Sequence, residues 1–221
     1  MLVEKTFQKY LEKVEKNGIN DNIATDRGKF VNLYNEHQNR YIEWLLDRKG
    51  DDDVRYIQKL LIPDKKITPE GKTPEFFKFK LPDDYFDFSN VYAKASKGEC
   101  KLQKIDLFEI KEENKNLILQ DEFNNPSFFY RESPFTINSE SLNVFYTDFT
   151  VDNINLSYYR YPKQISLISP DDPESKFNET KGIEFDDKLV DRIITLCAGG
   201  FSLNNNDPIF QAEKAEAAQK I

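Results

Sequence analysis

The chain has 221 residues, with 31 Lys and Arg against 39 Asp and Glu for a net charge of −8. Apolar residues make up 38% and the mean hydropathy is −0.70, which excludes a helical membrane span: the longest apolar stretch, residues 193–198, is far too short. An aromatic content of 14% excludes wholesale disorder, and the acidic balance argues against extensive binding to DNA or anionic lipid.

The amino terminus, residues 1–6, lacks the apolar core of a secretory signal, so synthesis in a reducing cytosol is expected. Cys100 and Cys197 are then small buried hydrophobes and form no disulfide. Phe7, Leu11 and Val14 recur at i, i+4, i+7 and predict a helix over about residues 4–17, ending near Gly18. Phe30, Leu33, Tyr34, His37, Tyr41, Trp44 and Leu45 form one apolar stripe and predict a helix from about Asp21 to Lys49, stopped by Gly50. Asp51, Asp52 and Asp53 supply caps for a further helix carrying Val54, Ile57, Leu60 and Leu61, ended by Pro63. The polar stretch 63–74, with three prolines and Gly71, reads as a linker.

From about Phe76 to Ile168 the period changes. Residues 101–110, 142–149 and 153–161 have strand composition, and Ile154, Leu156 and Tyr158 alternate with Asn155, Ser157 and Tyr159. Gly98 is the only glycine between Lys72 and Lys181, so Asn, Asp, Ser and Pro must make the turns, predicted at 113–116, 123–126 and 138–141. This spacing suits a small antiparallel sandwich or open barrel.

Residues 171–191 hold eight acids and three bases, net −5 of the chain's −8. Asp186 caps a helix with Leu189, Val190, Ile193, Ile194 and Cys197 on one side, broken at Gly199 and Gly200. Asp207–Pro208, an N-cap acid followed by proline at the first helical position, starts a last helix whose only large apolar groups are Ile209, Phe210 and Ile221. Such a segment is a solvated tail or waits for a partner. The whole reads as an α+β chain: a discontinuous helical body over 1–67 and 183–221, an inserted antiparallel sandwich or barrel-like β module over 74–170, and an interaction helix over 207–221.

Catalytic signatures do not emerge. His37 is the only histidine and falls on an apolar stripe, no GxSxG accompanies it, and phosphate-loop and dinucleotide fingerprints do not occur. One His and two distant Cys make a poor metal set, so neither a metal nor another cofactor is expected. Most of the acids in the carboxylate pairs Asp83–Asp84, Asp148–Asp152, Asp171–Asp172 and Asp186–Asp187 are explained by turns and caps. Two aromatic clusters remain, Phe128-Phe129-Tyr130 and Tyr158-Tyr159-Arg160-Tyr161. Tyr and Arg are typical anchors of protein interfaces. The interface candidates are Tyr158, Tyr159 and Arg160 on the strand, with Asp207, Pro208, Ile209, Phe210 and Gln211 at the start of the tail.

An ordered series of segments resembles the head-to-tail connectors of tailed bacteriophages, the adaptor or ring proteins docked beneath the portal, and is closest to those of crAss-like phages with short tails. The segments are Leu81-Pro82-Asp83-Asp84-Tyr85, Ala93-Lys94-Ala95-Ser96-Lys97-Gly98-Glu99-Cys100, Leu156-Ser157-Tyr158-Tyr159-Arg160-Tyr161-Pro162, the run from Phe185 to Ile194, and Asn206-Asp207-Pro208 to Gln211. The similarity covers residues 20–221. It implies a structural, non-enzymatic virion protein, made in the host cytoplasm and assembled as a homo-oligomeric ring of about twelve copies. Its partners would be the portal protein and the next tail or ring protein, with no membrane contact. DNA would pass through the lumen without specific binding, and the acidic 171–191 stretch is the candidate lining. The large β module departs from the family pattern and leaves the position within the stack open. The competing reading, from the carboxylates and aromatics, is a carbohydrate-binding or carboxylate-based glycan-degrading tail module.

Overall fold

The computed structural model describes residues 2–16, 26–47, 52–172 and 175–203. The fold is α+β and divides into two compact units, one from Met1–Lys59 with Pro162–Ile221 and one from Leu60–Tyr161.

The helical unit begins with α1 (Val3–Lys16), whose buried face is Val3, Phe7, Tyr10 and Val14. The Glu179 carboxylate closes its N-terminus, accepting from the Val3 and Glu4 amides at 3.0 and 3.1 Å. Helix α2 (Arg27–Asp47) starts later than the predicted Asp21, because Asp26 is its cap: the Asp26 carboxylate accepts from the Gly28 and Lys29 amides at 2.7 and 3.3 Å. Its buried face is rotated from the predicted stripe. Phe30, Tyr34, Gln38, Ile42, Leu45 and Leu46 are buried, whereas His37 and Tyr41 are half-buried and Trp44 is exposed. The rings of Phe7, Phe30 and Phe177 cluster, and the Arg27 guanidinium lies 5.7 Å from both Phe7 and Phe177. Helix α4 (Asp187–Leu203) runs through Gly199 and Gly200 instead of breaking there. A glycine costs a helix only about 1 kcal/mol, and buried Leu189, Val190, Ile193, Ile194, Cys197 and Ala198 anchor the turns before it. Lys13 of α1 reaches α4 at the Asp191 carbonyl and the Thr195 hydroxyl. The predicted helix over 207–221 lies outside the described residues.

The sheet unit holds eight strands: β1 (Leu61–Ile67), β2 (Gly71–Lys72), β3 (Phe76–Lys80), β4 (Tyr85–Lys97), β5 (Cys100–Glu109), β6 (Glu132–Ile137), β7 (Ser141–Phe145) and β8 (Thr150–Arg160). Their order is β1-β8-β4-β5-β6-β7-β3-β2, antiparallel except for the parallel β5–β6 pair. A single curled, mixed sheet therefore realises the barrel-like form of the expected sandwich or open barrel, departing from it in the one parallel pair. Phe88 on β4 meets Phe135 on β6 edge to face at 5.9 Å although β5 runs between them, a distance a flat sheet with strands about 4.8 Å apart would barely permit. Inside the curl Phe79, Ala93, Ile105, Phe135, Leu142, Val144, Ile154, Leu156 and Tyr158 form one apolar cluster. The tight hairpin between β4 and β5 has Gly98 at φ +56°, a conformation that side chains with a Cβ rarely adopt.

Two boundaries differ from expectation. The stretch 63–74 is not a linker but contains β1 and β2, so the sheet takes in residues assigned to the helical body. Pro63 is tolerated because β1 is an edge strand paired only with β8, and its ladder is interrupted between Ile62 and Lys65, where Asp64 has φ +47°. At the other end, residues 162–170 belong to the helical unit. The Asn35 amide pairs with both backbone groups of Ile165, at 2.9 and 3.0 Å, and Gln38 donates to the Lys163 carbonyl at 3.3 Å. The helix predicted over the Asp51–Asp53 region is a 3-10 helix, Asp52–Leu60.

Candidate functional site

The strand residues picked out as interface candidates do not form a surface. Tyr158 is 1% exposed and sits in the sheet core, its hydroxyl donating to Asp84 Oδ1 at 2.8 Å and accepting from Lys65 Nζ at 3.3 Å. Burial, reinforced by Asp84, pushes its hydroxyl pKa up to about 12. Tyr159 is buried as well, while half-buried Arg160 donates to the Tyr161 carbonyl at 3.0 Å. Both faces of β8 are covered at this point, so alternation on the strand does not turn every second side chain to solvent. Asp207, Pro208, Ile209, Phe210 and Gln211 lie outside the described residues.

The structure places the other singled-out groups as follows. His37 is half-buried on α2, and loss of water lowers its pKa. Cys197 is buried, its thiol pushed up to about 12 by loss of water, and Cys100 is exposed. Asp148 pairs with Lys97, Asp152 accepts from the Ser96 hydroxyl at 2.6 Å, and Asp186 pairs with Lys59 at 3.5 Å. Among the described residues no three His, Cys, Asp or Glu side chains converge as metal ligands, and no helix is long and apolar enough to cross a membrane.

Apolar exposure concentrates elsewhere. A parallel β5–β6 pair requires a crossover, and residues 110–131 make it through α3 (Lys115–Gln120). Of the ten large apolar side chains exposed among the described residues, this excursion carries four: Leu117, Phe123, Phe129 and Tyr130. Its last turn is tightly built. Ser127 and Glu132 exchange both backbone hydrogen bonds at 2.9 and 3.2 Å, Arg131 takes φ +59°, and the Tyr130 amide donates to the Ser127 hydroxyl. Phe128 turns inward against Phe149 at 5.9 Å, and the Thr147 hydroxyl holds the Pro126 carbonyl at 3.0 Å. Phe129 and Tyr130 are left 85% and 69% exposed, edge to face at 5.2 Å. The cluster Phe128-Phe129-Tyr130 was legible in the sequence; that its middle residue points out and its first points in was not.

The sheet unit also has an open cleft of about 570 Å³ beside β3. Its lining includes Lys78 and Lys80 of β3, Glu70, Asp83, Tyr85, Ser139, Glu140 and Tyr161. Backbone hydrogen bonds pin each wall: Glu70 to the Lys78 carbonyl at 2.8 Å, Leu81 to the Glu140 carbonyl at 2.9 Å, and Tyr161 to the Asp84 carbonyl at 2.8 Å. Lys80 pairs with Asp83 at 3.3 Å.

No family model matches this chain, and no curated protein is similar to it. The functional reading therefore stands on the residues themselves.

Proposed function

We propose that this chain is a structural virion protein, a head-to-tail connector that forms a ring of about twelve copies beneath the portal, joins capsid to tail and lines the channel through which DNA leaves. The observation that carries the reading is the aromatic tip: Phe129 and Tyr130, held exposed by the Ser127–Glu132 bridge. Exposed apolar groups concentrated on one excursion mark a contact with another protein, and a preformed turn loses little freedom on binding. The connector assignment in particular is supported by the ordered series of segments from Leu81 to Gln211. The acidic stretch adds to it, since Asp171, Asp172, Glu179, Asp186, Asp187 and Asp191 are exposed on the helical unit. A lumen of that sign offers packaged DNA no counterion-release affinity to slow its passage.

Mass photometry of the purified chain, alone and with a portal protein, tests this. Closed particles of fixed mass, about twelve times the 26.0 kDa chain, are expected on the portal. A chain that stays monomeric at every concentration and beside the portal contradicts the proposal.

A further inference from the structure

The geometry points to a second capacity: the cleft beside β3 is a binding site for a neutral glycan. Its size falls within the range of about 300–1,000 Å³ typical of small-molecule sites. Its chemistry is mixed. Three carboxylates, on Glu70, Asp83 and Glu140, face two ammonium groups, on Lys78 and Lys80, one of which is already paired with Asp83. A phosphate or an acidic peptide would meet more like charge than opposite charge, and a cationic ligand would meet both lysines. Sugar hydroxyls suit this arrangement, because each both donates and accepts: carboxylates take their protons while ammonium groups donate to their oxygens. Two tyrosines, Tyr85 and Tyr161, supply flat apolar surface for the C–H face of a pyranose ring.

These aromatics are held in place. Tyr161, 49% exposed, is buttressed edge-on by Phe86 at 4.6 Å, and Tyr85 rests by Tyr158 at 5.9 Å. The turn that carries Asp83 is tied down at both ends, by the Tyr85 amide on the Pro82 carbonyl at 3.0 Å and by the Tyr158 hydroxyl on Asp84. Beside Ser139 and Glu140, Asn138 Oδ1 accepts from the amides of Glu140 and Ser141 at 3.2 and 2.8 Å. A site whose walls do not need ordering keeps more of its contact energy as affinity. The segment Leu81-Pro82-Asp83-Asp84-Tyr85 thus does more than turn the chain from β3 into β4. Tyr158 and Tyr159 are buried and do not line this site.

The full-length protein is applied to a printed glycan array, and the strongest-binding neutral oligosaccharide is titrated into isotope-labelled protein by amide-resolved NMR. Saturable shifts are expected at the amides of Glu70, Lys78, Lys80, Leu81, Asp83, Tyr85, Ser139, Glu140 and Tyr161. Tyr161→Ala and Glu140→Gln, with unchanged melting curves, are each expected to weaken binding at least about tenfold. A blank array overturns the proposal. So do shifts confined to other amides, affinity unchanged in both variants, or inorganic phosphate bound more tightly at the same amides. Ring formation by mass photometry is read separately, and neither variant is expected to alter it.

Discussion

Two neighbouring phenylalanines are expected to fail in opposite ways. Phe128 packs inward on Phe149, so Phe128→Ala removes half-buried aromatic surface and should cost about 2 kcal/mol of stability in the sheet unit. Phe129 is 85% exposed and lies edge to face with the likewise exposed Tyr130, so Phe129→Ala should change stability by less than about 0.5 kcal/mol. Binding reverses the order. A phenylalanine side chain buries about 150–250 Å² at about 25 cal/mol per Å², a gross gain of about 4–6 kcal/mol. Because the Ser127–Glu132 bridge already fixes the turn, about 2–3 kcal/mol should survive as affinity, a loss of roughly 30- to 140-fold on truncation. Urea melts of each variant, set beside concentration-dependent assembly followed by mass photometry, separate the two effects. A Phe129→Ala chain that assembles at wild-type concentration, or that loses as much stability as Phe128→Ala, refutes the reasoning.

Other consequences follow from the helical unit. Glu179→Ala strands two amides at the start of α1 and should cost about 1–2 kcal/mol, with Glu179→Gln losing less; the fluorescence of Trp44, the single tryptophan, reports the urea midpoint, and an unchanged midpoint contradicts the clamp. Tyr10 and Cys197 have pKa values raised by burial from 10.0 and 9.0 to about 12 each. The unfolded chain therefore loses these protons first, and the stability they contribute is complete below about pH 9 and disappears by about pH 12. Alkaline titration followed at 295 nm and by circular dichroism should show a late tyrosine fraction that ionises only as the helices melt. All 11 tyrosines ionising together near pH 10 in a folded protein would contradict this. Deleting residues 207–221 should leave a folded monomer that fails to join the portal, and full occupancy by the truncated chain would show that the tail plays no part in docking.

What was legible in the sequence follows the length of each periodic segment. Helices α1, α2 and α4 announce themselves because an apolar residue every three or four positions has one explanation over fourteen or more residues. The face of α2 was less legible, since aromatic Tyr41 and Trp44 carry weight in any apolar count while Gln38, buried because it holds the Lys163 carbonyl, carries none. Strand β4, the longest in the sheet, was hidden in a run that mixes Asp87, Ser89, Asn90 and Lys94 with aromatics. Its ladder with β8 changes register three times, so no simple alternation survives. β1 was masked by Pro63, which signals a break unless the strand is known to be an edge. The cleft was invisible for a different reason. Its walls come from four separate places in the chain, joined by hydrogen bonds between residues up to about eighty positions apart, and only pairing order brings them together.

The central claim is tested most directly by electron microscopy of the portal vertex in intact particles, at a resolution that separates strands. The account predicts a closed ring of about twelve copies around the DNA channel, each fitted by the eight-stranded unit, with the Phe129–Tyr130 turn covered by a neighbouring protein. A vertex without this chain, or a chain found there singly with that turn bare to solvent, would contradict it.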